Sequence, residues 1–374
     1  MVLVYAPRPA INIIERNPYA PRPFVFTEVA ICLRDAIRAA GYQSDHLVNH
    51  LDPSSWSIVL GGTPSVMAEL GEHDPARCAI FNFEQLESGS HLASDEYVRW
   101  LTQWKVIDYN ARNIEVLAKA SGARSWAMEL PVVPSAGLVT ARDTEPSVDV
   151  LFYGTPNARR ETVLQALESL GLRVEVVAGA YAHELAPAVR RAHLVLHVHF
   201  YATGLFPVAR MLQPAAMGVP IVCESSVFSP LNDWSESGIF LADYDQLADT
   251  CRRLLADRDR LQASTASVQA FCASLDFRTP LDRLLEAFLQ PSARFSGAAA
   301  TSRAAPEDLA PDDPLIEMEV LQADPLLVEA GLPKDLIPIV RREPGQGPLG
   351  RWMAWLLVAF ILAGSLKYWL DWRV

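Results

Sequence analysis

The densest group of residues suited to chemistry lies between residues 194 and 224. An apolar strand with His197 and His199 leads into a glycine-containing turn, a helix that carries Arg210, and a second apolar strand that ends at Glu224. A helix N-terminus and a guanidinium both offer N–H donors and positive charge to a phosphate group. A carboxylate at a strand end accepts hydrogen bonds from sugar hydroxyls. This stretch therefore predicts a site for a phosphorylated small molecule that carries hydroxyl groups.

A second group of candidates follows the strand predicted at residues 148–153. Arg159 and Arg160 open the next helix, where phosphate contacts and solvated charges are both open alternatives, since a cation gains nothing from the dipole there. Ligands of parallel sheets gather beyond the carboxyl ends of the strands. The candidate binding residues are therefore Gly154, Asn157, Arg159, Arg160, Tyr201, Phe206, Arg210, Glu224 and Ser225.

Glu84 is the candidate catalytic carboxylate of the first half. It follows an apolar strand predicted at residues 78–83, where a carboxylate can deprotonate an acceptor hydroxyl. A structural hydrogen-bonding role is the alternative. Together with Arg210, which would stabilise a departing phosphate, Glu84 completes the predicted catalytic set.

The sequence predicts neither a metal nor a cofactor. His197 and His199 share one face of a strand, but no third ligand is near them in the sequence, so buried or cleft-lining histidines are the interpretation. No P-loop, G-x-G-x-x-G or G-x-S-x-G pattern occurs. Hydrolase and NAD-dependent functions therefore lack support.

These candidates must be positioned by alternating strands and helices, which is typical of parallel α/β sheets. Strands are expected from residues 2–5 onward, and the same pattern restarts at residue 148. We predict two Rossmann-like domains that face a cleft, at residues 1–145 and 146–290. Five scattered cysteines without a C-x-x-C pair predict free thiols rather than disulfides.

Residues 291–350 have the composition of a disordered linker. The 374-residue chain has a net charge of −12, and residues 303–350 alone hold ten acidic and four basic residues, a net charge of −6. Such an acidic, proline-containing segment predicts a spacer or a docking segment for a protein partner. The acidic balance of the chain argues against nucleic acid as its main partner.

Residues 351–371 predict one membrane-spanning helix. Fifteen residues from Trp352 carry no charge, the apolar stretch reaches Leu370, and Trp and Tyr residues cluster at both of its ends. Lys367 can extend to the interface. Because four residues follow Leu370, we predict a tail anchor. The slight excess of basic residues before the span predicts that the main body lies in the cytoplasm.

The chain resembles GT-B glycosyltransferases, in particular bacterial glycosyltransferase-like proteins related to spore-maturation glycosyltransferases. The resemblance spans roughly residues 1–289. It rests on five short stretches, which are DVLFYG at 149–154, HVHFY at 197–201, MGVPIVCE at 217–224, FNFEQL at 81–86 and DYNARNI at 108–114. It implies a nucleotide-sugar donor bound by the second domain and an acceptor bound by the first.

The chain also departs from that family's pattern. Such enzymes often carry acidic residues on the helix at residues 206–217, where they contact the sugar of the donor. Here Pro207, Gln213 and Pro214 occupy those neighbourhoods, and Pro214 should kink or shorten the helix. Two functions therefore follow: a membrane-tethered glycosyltransferase, or a catalytically silent relative that binds or scaffolds in a membrane assembly.

Overall fold

Two parallel sheets flanked by helices organise the chain. The computed structural model describes residues 10–71, 74–86, 94–120, 124–135, 138–200, 204–226, 231–289 and 340–342. Within them, each sheet has six strands. The prediction of an α/β fold with parallel sheets is confirmed.

The first sheet has the order β2-β1-β3-β4-β5-β6, with every neighbouring pair parallel. Its strands are β1 (Ile11–Glu15), β2 (His46–Val48), β3 (Trp56–Leu60), β4 (Cys78–Asn82), β5 (Lys105–Asp108) and β6 (Arg124–Ala127). Its helices are α1 (Thr27–Ala39), α2 (Pro64–Leu70), α3 (Asp95–Leu101) and α4 (Ala111–Lys119). Side chains of Thr63, Ser94 and Asn110 cap α2, α3 and α4, which explains where these helices begin.

The strand expected at residues 2–5 lies outside the described residues. The first described strand is β1, which the sequence pattern did not indicate because Asn12 interrupts its apolar run. Asn12 is nevertheless buried: its Nδ2 donates to Ser55 Oγ at 3.0 Å, and its Oδ1 accepts from Asp45 N at 3.0 Å. Satisfying both ends of the amide removes most of the cost of burying it.

The second sheet has the order β11-β10-β9-β7-β8-β12. Its parallel strands are β7 (Val148–Tyr153), β8 (Val174–Ala178), β9 (Ala192–His197), β10 (Ile221–Glu224) and β11 (Phe240–Ala242). Its helices are α5 (Ala158–Ser169), α6 (Ala186–Arg190), α7 (Val208–Ala216), α8 (Leu247–Ala256), α9 (Arg258–Ser274) and α10 (Arg278–Leu289). Strands β7–β10 consist mostly of buried apolar residues, as expected for a sheet covered on both faces.

The last described strand, β12 (Val340–Arg342), falls within the predicted linker. It pairs antiparallel with β8, with Val340 opposite Ala178 and Arg342 opposite Val176. It therefore covers the edge of the second sheet, whose main-chain groups would otherwise be unpaired. Residues 290–339 and 343–374, which include the rest of the predicted linker and the predicted membrane segment, lie outside the described residues.

The two sheets share a continuous apolar core. It includes Ile13 and Phe81 of the first sheet and Leu212 of α7. The final helix, α10, packs against β6 of the first sheet and buries Leu281, Leu284 and Leu285. All five cysteines are buried and unpaired, as predicted. In the part of the chain that the structure describes, no helix is long and apolar enough to cross a membrane.

Candidate functional site

The topology of each sheet defines one crevice. In the first sheet, the chain leaves β1 for β2 on one side and continues with β3 on the other; in the second sheet, β8 and β9 flank β7 in the same way. In such sheets, ligands bind beyond the carboxyl ends of the strands where the strand order reverses. The topology therefore places the candidate site near Glu15 and Gly61 in the first sheet, and near Tyr153 and His197 in the second.

Arg159 and Glu224 bind each other at the crevice of the second sheet. Two guanidinium nitrogens of Arg159 contact the two carboxylate oxygens of Glu224, with Nη1 2.7 Å from Oε2. Nη1 also donates to His199 O at 3.0 Å, and Glu224 Oε2 accepts from His199 N at 2.8 Å. Arg159 stacks over Tyr244, 4.0 Å from the ring centroid. The two predicted ligand-binding side chains therefore form one closed pair that fixes the ends of β9 and β10.

Arg160, Asn157 and Gly154 form the turn from β7 into α5. Arg160 is buried, and it donates to Val198 O and Thr155 O at 2.7–3.0 Å. Asn157 caps α5 through Arg160 N and also donates to Phe200 O at 2.9 Å. In this structure Arg160 is buried and donates to main-chain oxygens of the loops, which differs from both predicted alternatives, a phosphate contact and a solvated charge.

Arg210 lies in the first turn of α7, beside the end of β7. Its Nη1 donates to Tyr153 O at 3.1 Å, and the Tyr153 hydroxyl donates back to Arg210 O. The guanidinium carbon lies 5.8 Å from the Tyr153 ring centroid. Burial lowers the pKa of Arg210, while Tyr153, Tyr181 and Glu28 act in the opposite direction. Arg210 therefore faces the other sheet as well as its own crevice.

Glu28, which sequence reasoning missed, lies at the contact between the sheets. It belongs to the first turn of α1, and its Oε1 accepts a hydrogen bond from Ala182 N at 2.5 Å. Burial raises its pKa from 4.5 to about 7. The only signal in the sequence was an acidic residue at the start of a mostly apolar helix. No spacing pattern in the sequence relates Glu28 to residue 182.

A second contact between the sheets lies beside the first. Arg22 Nε and Nη2 each lie 3.1 Å from a carboxylate oxygen of Glu184. Glu129, which follows β6, accepts from Asn232 Nδ2 at 3.1 Å and is buried, which raises its pKa. Charged or polar groups thus join the sheets at several points around the crevices.

Helix α7 begins at Val208, two residues later than predicted. Pro207 occupies the N-cap position, so no side chain caps the helix, and its first turn carries no acidic residue. Phe206 is buried against Trp234, with ring centroids 5.5 Å apart, and is a core residue rather than a ligand contact. Pro214 lies inside the helix, which is nine residues long. The helix continues past Pro214 to Ala216, so it is shorter than predicted mainly because it begins later.

Gln213 lies where the resembling family carries acidic residues. It is buried, and its Nε2 donates to Leu138 O at 2.8 Å and Ala182 O at 3.0 Å. Its Oε1 is buried and has no hydrogen-bond partner within the described residues. A buried acceptor without a partner is costly, so this position suits a donor group from a ligand.

Glu84 is held in place by a buried polar network at the ends of β4 and β5. Glu84 O accepts from Asn82 Nδ2 at 2.9 Å and from Asn113 Nδ2 at 2.8 Å. Both amides also donate to Asp108 Oδ2, at 2.7 and 2.9 Å. The Tyr97 hydroxyl joins the network through Asn82 Oδ1 at 3.1 Å. Glu84 itself is partly buried, at the same edge of the first sheet as Glu28.

The structure describes all but one of the remaining residues that the sequence analysis singled out. Ser225 is exposed after β10, and Tyr201 lies outside the described residues. The rings of His197 and His199 are buried 5.4 Å apart, and burial lowers the pKa of both. Within the described ranges, no group of three or more His, Cys, Asp or Glu residues is placed to hold a metal ion.

One family model matches part of the chain. Residues 138–284 match the model of a family described as glycosyl transferase-like. No curated protein sequence matches the chain.

Solved glycosyltransferase structures also resemble the chain. The DNA-modifying enzyme β-glucosyltransferase is 13% identical (TM-score 0.49, 75% of this chain and 99% of that one). HepE from Anabaena, in complex with UDP and glucose, is 11% identical (TM-score 0.48, 75% and 99%). An α-glucosyltransferase in complex with UDP-glucose and DNA is 10% identical (TM-score 0.47, 76% and 100%). Residues 138–284, which match the family model, hold β7–β11 and Arg210.

Proposed function

We propose that this chain is a membrane-tethered glycosyltransferase that transfers a sugar from a nucleotide-sugar donor to an acceptor. The observation that carries the proposal is the position of Arg210 inside the glycosyltransferase-like region. Its guanidinium is fixed at the crevice of the second sheet by Tyr153 and lies at the uncapped start of α7. A fixed cation and the positive end of the helix dipole stabilise the negative charge that develops on a departing nucleoside diphosphate.

Two further groups support sugar transfer at this place. Gln213 Oε1, which has no hydrogen-bond partner among the described residues, can accept a hydrogen bond from a hydroxyl group of the donor sugar. Glu84, whose main chain is fixed by Asn82 and Asn113, is the candidate base for the acceptor hydroxyl. The closed pair of Arg159 and Glu224 shapes the crevice, and in this proposal it positions the loops rather than the phosphates.

Donor turnover tests the proposal directly. The full-length protein in detergent would be assayed with a panel of nucleotide sugars for donor hydrolysis and transfer. Arg210→Ala should lower kcat/KM by about 100-fold, as for loss of one charge-stabilising group. Arg252→Ala is the matched control, because Arg252 is exposed and pairs with Asp249 on the helix surface. Undiminished turnover in a folded Arg210→Ala protein would contradict the assignment.

Membrane tethering is tested separately. The full chain should stay with the membrane fraction after alkaline carbonate extraction, whereas a chain ending at Gly350 should be released. Release of both proteins would remove the tether from the proposal and leave the transferase activity untouched.

A catalytically silent relative is the second candidate. It is favoured by Gln213, which stands where an acidic residue is expected and whose Nε2 donates hydrogen bonds to Leu138 O and Ala182 O. Donor binding without hydrolysis or transfer across the panel would support this function. A pulldown with residues 291–339 deleted would then show whether the acidic segment recruits a protein partner; unchanged partners would exclude that role.

A further inference from the structure

A main-chain N–H group in the loop after β8 of the second sheet points at a carboxyl group beside the first sheet. After β8, Ala182 adopts φ 47°, a left-handed conformation that alanine rarely takes. Ala182 is buried, and its O accepts from Gln213 Nε2 at 3.0 Å. Its N–H is donated to Glu28 Oε1 at 2.5 Å. Tertiary contacts, not local preference, therefore aim this N–H across the interface.

Positive charge lies at the same place. Arg210 interacts electrostatically with Glu28, and so favours its ionised form, while Glu15 of β1 disfavours it. The other titratable groups around this carboxyl group are Cys32 of α1 and, on the second sheet, Tyr153 and Tyr181. The charges of Glu28 and Arg210 both affect the pKa of the two tyrosines. An aimed N–H and a guanidinium that face one acidic group have the composition of an anion-binding site.

We propose that Ala182 N–H and the Arg210 guanidinium form an anion-binding site, which the Glu28 carboxyl group fills from the first sheet and which a phosphate group takes by displacing it. The choice of ligand class, a nucleoside diphosphate, rests on the proposed glycosyltransferase function. The site itself rests on the hydrogen bond from Ala182 N to Glu28 and on the electrostatic interaction of Arg210 with Glu28. It adds the loop after β8 to the residues that bind the donor, and it couples donor binding to release of a contact between the sheets.

Displacement has a definite pH signature. Burial gives Glu28 a pKa of about 7 in the filled site, and exposure to water returns the pKa to its ordinary value near 4.5. Between these values, displacement therefore releases a proton, and rising pH favours it. Phosphate affinity should rise by roughly tenfold per pH unit from about pH 5 to 7 and level off above pH 7. A carboxyl group that stayed beside the bound phosphate would take up a proton and give the opposite slope.

The test is calorimetric binding to the full-length protein from pH 5.5 to 8.5, with UDP, GDP and inorganic pyrophosphate as separate probes. Glu28→Gln keeps an acceptor for Ala182 N–H but cannot ionise. Glu184→Gln is the matched control, because Glu184 also joins the sheets, through Arg22, two residues from Ala182. The probes themselves ionise in this pH range, but they do so equally with all three proteins. The effect of Glu28 is therefore the slope of affinity against pH minus the slope measured for Glu28→Gln. Circular dichroism establishes that each variant is folded.

The expected result is an affinity that rises about tenfold more between pH 6 and 7 in the wild type and in Glu184→Gln than in Glu28→Gln. Pyrophosphate with the same slope would show that the phosphate alone suffices. Equal slopes in all proteins, with nucleotide bound and sugar transferred, would overturn the displacement while leaving the glycosyltransferase function in place. No binding of any probe by wild type or variants would overturn both.

Discussion

Asp108 and Glu28 are both buried carboxyl groups whose pKa burial raises to about 7, yet their partners differ in kind. Asp108 accepts from Asn82, Asn113 and the main chain of Asn110, all at the same edge of its own sheet. Glu28 accepts from Ala182 N of the other sheet.

The difference shows that burial and pKa alone do not identify a functional carboxyl group. The partners of Asp108 come from the elements that build the first sheet, so its network can be broken only by disrupting that sheet. The contact of Glu28 is lost when the two sheets move apart or when another anion binds at Ala182. A desolvated carboxyl group with an exchangeable partner is therefore the better candidate for a role in ligand binding.

The largest expected effect is that of removing the internal network. Asp108→Ala leaves two buried amide donors without their acceptor and should lower the free energy of unfolding by about 3 kcal/mol. Glu28→Ala removes one hydrogen bond from a main-chain donor and should cost about 1 kcal/mol. Urea denaturation of both variants measures this difference. Equal losses would break the distinction between the two groups.

The pH dependence of stability is the next effect. Both groups have a raised pKa in the folded protein, so each stabilises fully below its unfolded value near 4 and loses that contribution as pH rises to about 7. Asp108→Asn and Glu28→Gln should each flatten the decline of the unfolding free energy between pH 5 and 7 by about 1 kcal/mol per pH unit.

Saturating UDP sharpens this experiment. The nucleotide should abolish the contribution of Glu28 to the pH dependence of the unfolding free energy, because the displaced carboxyl group is solvated. The contribution of Asp108 should remain. If the nucleotide changed neither contribution, its binding site would lie away from Glu28.

The smallest expected effect concerns the partly exposed ion pair between the sheets. Glu184→Gln removes the charge that Arg22 contacts and should lower the free energy of unfolding by less than about 1 kcal/mol, and less still in high salt. Thermal unfolding at two ionic strengths measures it. A loss as large as that of Asp108→Ala would mean that this pair, and not the shared apolar core, joins the sheets.

The sequence predicted the fold class from the alternation of strands and helices, because helical and strand periods leave distinct patterns. It missed β1 because Asn12 breaks the apolar run, and it missed β12 because a three-residue edge strand has no periodicity of its own. The edge becomes a strand only through its pairing with β8.

The candidate site was predictable only within single segments. Arg210 lies at the crevice of the second sheet, as strand order and helix position indicated. The pairing of Arg159 with Glu224 joins residues 65 positions apart, and the contact of Glu28 with Ala182 joins residues 154 apart. Distant residues meet through the packing of the sheets, which residue spacing does not encode. Arg160 illustrates the same point, because its burial against Val198 O depends on the neighbouring strand.

A structure of the full chain with bound UDP or GDP tests the central claim most directly. We predict diphosphate oxygens within hydrogen-bonding distance of the Arg210 guanidinium and Ala182 N, with the Glu28 carboxyl group moved away from that N–H. A nucleotide bound elsewhere, with the contact between Glu28 and Ala182 intact, would contradict the account.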